Sequence, residues 1–145
     1  MHIVPFETVL WVDLPWPPSV NHYWGQRVIG KRVMRFVGKR GLTFRDDVTK
    51  AVSYYLGHCQ KYFCKPHRLA VSVHITSPDN RRRDVDNLMK ATLDALEHAG
   101  VYDDDSQIDV LNIIRCTDKI EKGGRIRIGI GQIENGHVDF DNSMP

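Results

Sequence analysis

Apolar and polar positions divide this chain into short stretches of two kinds. Residues 7–14 alternate and carry Val9, Leu10, Trp11 and Val12, which predicts a first strand. Between residues 14 and 24, Pro15, Pro17 and Pro18 force an extended, non-helical path. Trp16, Tyr23 and Trp24 in that stretch are set either to stack on bases or to pack beneath the loop. Residues 27–40 carry Val28, Val33, Met34, Phe36 and Val37, which suggest a strand or hairpin with Gly30 and Gly38 at its bends. Over 43–63 the pattern changes period. Phe44, Val48, Val52, Tyr55 and Leu56 make one apolar helical face, with Thr43 as the expected N-cap and Asp46 and Asp47 in the first turn. Pro66 stops further extension.

The alternation returns at residues 68–76. Val71, Val73 and Ile75 face one way, and Ala70, Ser72, His74 and Thr76 the other. Ser77, Pro78, Asp79 and Asn80 close that strand with a turn. A second helix is predicted from Asp86. Leu88, Thr92, Ala95 and Ala99 form its stripe, Met89, Leu93 and Leu96 widen it, and Gly100 stops it. Residues 108–116 read as a strand through Ile108, Val110, Leu111, Ile113 and Ile114. Lys122, Gly123, Gly124 and Arg125 read as a hairpin turn into a last strand at 125–133, with Ile126, Ile128 and Ile130 on one face. Residues 1–6 read as a loose leader and 135–145 as a frayed tail.

Composition narrows the classes. The 145 residues suit one domain, and 41% hydrophobic content is enough for a core, which excludes global disorder. The net charge of +2 conceals an asymmetry: 14 Lys+Arg against 5 Asp+Glu up to Arg83, then 6 against 13. A basic half joined to an acidic half suits a polyanion-binding surface beside a metal pocket. The three cysteines, Cys59, Cys64 and Cys116, fit neither a zinc site nor a redox pair, so free thiols in a reducing compartment are expected. With no run of membrane-spanning length and no signal pattern, the expected location is cytoplasmic.

The chemistry concentrates at Arg81, Arg82, Arg83, Asp84, Val85, Asp86, Asn87, Leu88, Met89 and Lys90. Two acids one residue apart lie on the same side of an extended backbone. Converging carboxylates repel and attract a cation, and oxygen donors suit Mg²⁺ or Mn²⁺. Adjacent arginines indicate an anionic substrate, phosphate above all. The competing reading makes Asp86 a helix cap and Asp84 an arginine partner. It explains one acid, not two acids with a tri-arginine run and a lysine. Lys90 follows Asp86 by four, on the same helical face. It is either half of a surface ion pair or a charge at the pocket. Asp103, Asp104 and Asp105 are either a solvated turn or the source of a third ligand, returned to the site by the helix and its Gly100 turn. Arg27, Lys31, Arg32, Arg35, Lys39 and Arg40 stand together without an acid, either tracking phosphates or guarding an edge strand.

Taken together these stretches resemble the RusA-like crossover-junction endodeoxyribonucleases. The resemblance rests on residues 82–90, on Asp94, Ala95 and Leu96, on Ala99 and Gly100, and on Asp104, Asp105, Ser106 and Gln107. The loop of Leu14, Pro15, Trp16, Pro17, Pro18 and Ser19 and the Lys122–Arg125 turn follow in the same order. It spans residues 9–133 and implies a small α/β fold of the α+β type: one mixed sheet with two main helices packed on it, a single domain over residues 1–134, and a homodimer. It implies a Holliday junction resolvase that uses Mg²⁺ or Mn²⁺. Its catalytic acids fall on Asp84, Asp86 and Asp105, with Asp104 the second choice for the third ligand, and its lysine on Lys90. Asp103 stands where the family carries an aromatic or apolar residue, so the acidic run is one longer here. Arg81, Arg82, Arg83, Arg27, Lys31, Arg32, Arg35, Trp16, Asn21, Lys122 and Arg125 are the expected DNA contacts. The rival readings are a nuclease for other branched DNA and a junction-binding protein without catalysis.

Overall fold

A computed structural model describes residues 10–57 and 63–133. The elements are β1 (Leu10–Leu14), α1 (Val20–Tyr23), β2 (Trp24–Ile29), β3 (Arg32–Val37), α2 (Lys39–Leu56), β4 (Arg68–Thr76), α3 (Asp86–His98), β5 (Ile108–Cys116) and β6 (Arg125–Ile133), with a 3-10 turn at Asp105–Gln107. Four strands form one sheet in the order β1-β6-β4-β5, and β2 and β3 form a separate two-stranded ribbon. β5 runs parallel to β4, while β6 is antiparallel to both β4 and β1. The result is the expected mixed α+β single domain.

One side of the sheet makes the core. Leu10, Val12 and Leu14 of β1, Ile126, Ile128 and Ile130 of β6, and Leu69, Val71, Val73 and Ile75 of β4 meet Phe44, Val48 and Val52 of α2 and Leu88, Ala95 and Leu96 of α3, all buried. Each aliphatic side chain so buried contributes about 1.5–3 kcal/mol. The other side of β4 is less polar in its surroundings than alternation predicts, because Ala70, Ser72 and Thr76 are buried as well. A strand paired on both edges has little solvent around it. His74 is half-buried, its ring edge-on to Trp11 at 5.7 Å.

Several expectations need correction. α2 begins four residues before Thr43, with Gly38 at its N-cap. Thr43 Oγ1 instead donates to the Lys39 carbonyl, 3.0 Å away, inside the helix. The cause is tertiary: the Gly38 N–H donates to the Tyr23 carbonyl at 2.8 Å, and Gly41 packs so closely on Tyr23 that a Cβ there would lie 2.8 Å from its ring. α2 ends at Leu56, followed by Gly57 at φ +64°. The proline stretch is extended only as far as Ser19, after which α1 forms. The turn at 122–125 is not a hairpin. β4 lies between β5 and β6, so the chain must cross the end of the sheet. Gly123 and Gly124, at φ +85° and +69°, make the bend. Gly124 lies under Trp16, whose ring atoms would sit 2.4 Å from a Cβ.

The leader at 1–6, residues 7–9 of the predicted first strand, Cys59 and the tail at 135–145 lie outside the described residues. Among the described residues Cys64 and Cys116 are free thiols, and no helix is long and apolar enough to cross a membrane.

Candidate active site

α3 is the beam on which the site is built. Val85 is its N-cap and makes no side-chain cap bond, so Asp86 enters as the first helical residue rather than as the cap. A carboxylate in the first turn is favoured by the helix dipole. Asp84 and Asp86 are both exposed. The neighbouring arginines pair elsewhere: Arg83 donates to both oxygens of Asp79, at 2.6 and 2.9 Å, and the Arg81 backbone N–H adds a third bond at 2.9 Å. The Arg83 guanidinium first of all, with that backbone bond, lowers the Asp79 carboxyl to about 2. The same guanidinium lies over the Trp16 ring at 5.6 Å, so Trp16 is a half-buried platform for Arg83. Arg115 donates to the Arg83 carbonyl. Arg81, Arg82, Arg83, Arg115 and Lys119 line a cleft of about 220 Å³. Sequence reading missed Arg115 and Lys119. They reach the tri-arginine run only because β5 pairs in parallel with β4, placing Cys116 against Thr76.

Beyond the far end of α3, the three consecutive acids do different work. The Asp103 carboxylate accepts the Lys65 backbone N–H at 2.7 Å. Asp104 caps the 3-10 turn, accepting the Ser106 N–H at 2.8 Å. Asp105 faces Lys90, whose Nζ stands 3.6 Å from its Oδ2. Its backbone N–H donates to Glu97 of α3 at 3.3 Å. Gln107 fastens the turn from beneath. Its Oε1 accepts the N–H groups of Asp103 and Asp104, at 2.8 and 3.1 Å, and its amide donates to the carbonyls of Phe63 and His67.

The sequence-predicted acids are therefore only partly gathered. Lys90 pairs with Asp105 rather than with Asp86, one turn before it on the helix. Asp84, Asp86 and Asp105 do not converge on one point in the single chain. The group whose oxygens do lie within 4.8 Å of one another is Glu97, Asp104 and Asp105. Asp105 stands beside the first half of α3, against Lys90, but Asp84 and Asp86 are not among the carboxylates gathered there. The Gly100 turn returns the chain as far as Lys90 only. Glu97 was missed in the sequence because a single glutamate on a helix carries no spacing signal. The donor set is all carboxylate oxygen, which fits Mg²⁺ or Mn²⁺.

A third group ties α3 to the rest of the fold. Tyr23 donates its hydroxyl to Asp94. Arg45 of α2 donates to the same carboxylate at 2.5 Å and to the Tyr23 oxygen at 2.8 Å. Burial raises the Asp94 carboxyl, but the bonds from Tyr23 and Arg45, with the charges of Arg45 and Lys90, carry it below its ordinary value overall. The linkage sign follows. A depressed carboxyl stabilises the fold fully above the unfolded value and ceases to as pH falls through the folded one. Asp94→Asn is expected to lower stability near neutral pH by about 2 kcal/mol. The gap from wild type should narrow in urea melts as pH falls below about 4.

The remaining predicted contacts are dispersed. Arg27, Lys31, Arg32 and Arg35 stand exposed on the β2–β3 ribbon, Asn21 is exposed on α1, and Lys122 is exposed at the glycine bend. Arg125 pairs with Glu121 at 3.4 Å.

Comparison with known proteins places this arrangement among relatives. The family model described as endodeoxyribonuclease RusA matches residues 15–131. The crossover junction endodeoxyribonuclease of Enterobacteria phage HK97 is 38% identical over 122 residues, covering 84% of this chain and 93% of the relative. Those of Shigella sonnei strain Ss046 and Escherichia coli strain K12 are each 33% identical over 124 residues, covering 86% of this chain and 95% of the relative.

Proposed function

The chain belongs to the endodeoxyribonuclease RusA family, and from that premise we propose that it is a Holliday junction resolvase. It hydrolyses phosphodiesters at four-way DNA junctions to 5′-phosphate and 3′-hydroxyl ends. The observation that carries the reading is the Lys90 ammonium, 3.6 Å from Asp105 and one helical turn from Asp86, on the helix that follows the arginine cleft.

Asp84, Asp86 and Asp105 would hold a divalent ion, Mg²⁺ or Mn²⁺, with Asp104 the second choice for the third ligand; Glu97 lies beside Asp104 and Asp105. Such an ion supplies charge neutralisation at the phosphate and a water acidic enough to ionise near neutral pH. The three carboxylates are not within 4.8 Å of one another in the free chain, and binding of the ion and DNA would close the remaining gap. Lys90 places positive charge where the phosphate oxygens gain negative charge. Arg81, Arg82 and Arg83, with Arg115 and Lys119, grip neighbouring phosphates and fix register without reading sequence. A four-way junction needs paired nicks, and a symmetric homodimer supplies one site for each. The setting is recombination and repair of DNA in the cytoplasm.

The test is a labelled mobile four-way junction beside a linear duplex of matched sequence, with and without Mg²⁺. Paired nicks at symmetry-related positions in the junction alone are expected, dependent on the ion and religatable. Equal nicking of the duplex would replace the reading with a general nuclease. Tight binding without nicking, in Mg²⁺ and in Mn²⁺, would replace it with a binding protein.

A further inference from the structure

The β2–β3 ribbon is the part of the fold that the site does not use. It is antiparallel and in register from Trp24 against Val37 to Ile29 against Arg32, with Gly30 at φ +61° in its turn. Val28, Ile29, Val33, Met34 and Phe36 are exposed, at 47–68% of their surface. A two-stranded ribbon is marginal in water unless something packs on it, and a cluster of apolar side chains left in solvent marks a contact surface.

By register, Arg27, Ile29, Arg32, Met34 and Phe36 share one face. On it, Arg27, Ile29, Met34 and Phe36 line a cleft of about 310 Å³, which Arg35, of the opposite face by register, also borders. The Phe36 ring rests on Gly25, where a Cβ would come within 2.5 Å of it. One ring face is thus backed by the ribbon while the side chain stays 47% exposed. The segment also carries Lys31 and Arg32 and has no acid from residue 25 to 38. A second copy laid on this face would set cations against cations. A nucleotide brings a flat apolar base for the cleft and phosphates for the arginines.

We propose that the ribbon captures an unstacked base at the branch point of its DNA. The base lies against Phe36 between Ile29 and Met34, and Arg27 and Arg32, on the same face, hold the flanking phosphates. A base in a continuous duplex is stacked on both sides, while one at an open branch lacks a stacking neighbour and is cheaper to unstack, so the cleft favours branched over linear DNA. This rests on the reading of the chain as a junction nuclease, and the test separates the two.

Binding is measured in EDTA, so that cleavage plays no part, on a four-way junction and a matched duplex, each carrying 2-aminopurine at the crossover position. Phe36→Ala is expected to weaken junction binding by about 10–100-fold, the worth of one stacked base. Duplex binding should stay nearly unchanged, and the 2-aminopurine signal at the branch should revert to that of free junction. Ile29→Ser with Met34→Ser, further from the ribbon's root, should do the same if Phe36→Ala misfolds. Arg27→Ala with Arg32→Ala should weaken both DNAs alike and flatten the salt dependence. Equal loss on junction and duplex from the apolar variants, or no loss, overturns base capture. So does a wild-type dimer that the apolar variants convert to monomer with junction affinity unchanged. If wild-type protein binds neither DNA and nicks nothing in Mg²⁺, the junction-nuclease reading itself has failed.

Discussion

Asp86→Asn is expected to abolish junction nicking, by about a thousandfold or more, while the fold and DNA binding persist. The substitution keeps the shape of the side chain and removes only its charge. Asp86 is exposed at the first position of α3 and its side chain makes no cap bond there, so nothing in the packing depends on it. Losing a ligand to a divalent ion removes several kcal/mol of charge stabilisation in the transition state. Binding should hold or tighten, because a negative charge next to the arginine cleft repels the same phosphates that the cleft attracts. The checks are single-turnover nicking in Mg²⁺, gel-shift affinity and a thermal melt. Normal nicking by the variant would remove Asp86 from the site.

Lys90→Met carries the second large effect. The ammonium stands 3.6 Å from Asp105, half exposed on α3. Methionine keeps the aliphatic stem and the helix propensity. Removing one positive group aimed at developing charge costs about a hundred- to a thousandfold in kcat, with little change in KM. A second consequence has the opposite sign. Lys90 neutralises part of the charge on Asp105, so without it the site that includes Asp105 is expected to hold Mn²⁺ more tightly. Slower turnover with tighter Mn²⁺ binding would distinguish a charge at the reacting phosphate from a merely structural ion pair. A proportional loss of both would mark Lys90 as a support for the acidic turn.

Much of the fold was legible because period and position agree in this chain. The runs of Val71, Val73 and Ile75 and of Ile126, Ile128 and Ile130 gave two strands at their true places, and Leu88, Thr92 and Ala95 gave α3. What failed depends on partners distant in sequence. Thr43 is a good cap residue, yet Tyr23, through its carbonyl and ring, starts α2 at Lys39. Two glycines announce a bend at 123 and 124 but cannot tell a hairpin from a crossover, which is decided by β5 taking the outer edge of β4. The same parallel pairing brought Arg115 and Lys119 to the arginine run, unseen by any local motif.

The candidate site was legible as residue types and not as geometry. Lys90 and Asp105 do meet, across fifteen positions. Three adjacent acids looked interchangeable, and the structure divides them: Asp103 and Asp104 are engaged by backbone N–H groups, and Asp105 turns to the lysine. Glu97 joins them by lying at the end of α3.

The bonds of Tyr23 join two parts of the fold that are far apart in sequence. Both legs of the ribbon are rooted there: β2 starts at the next residue, and the N–H of Gly38, just after β3, ends on the Tyr23 carbonyl. The phenol of the same residue is bolted to Asp94, four positions along α3 from Lys90. One residue, through its backbone and its phenol, thus joins the root of the ribbon to the middle of the helix that carries Lys90.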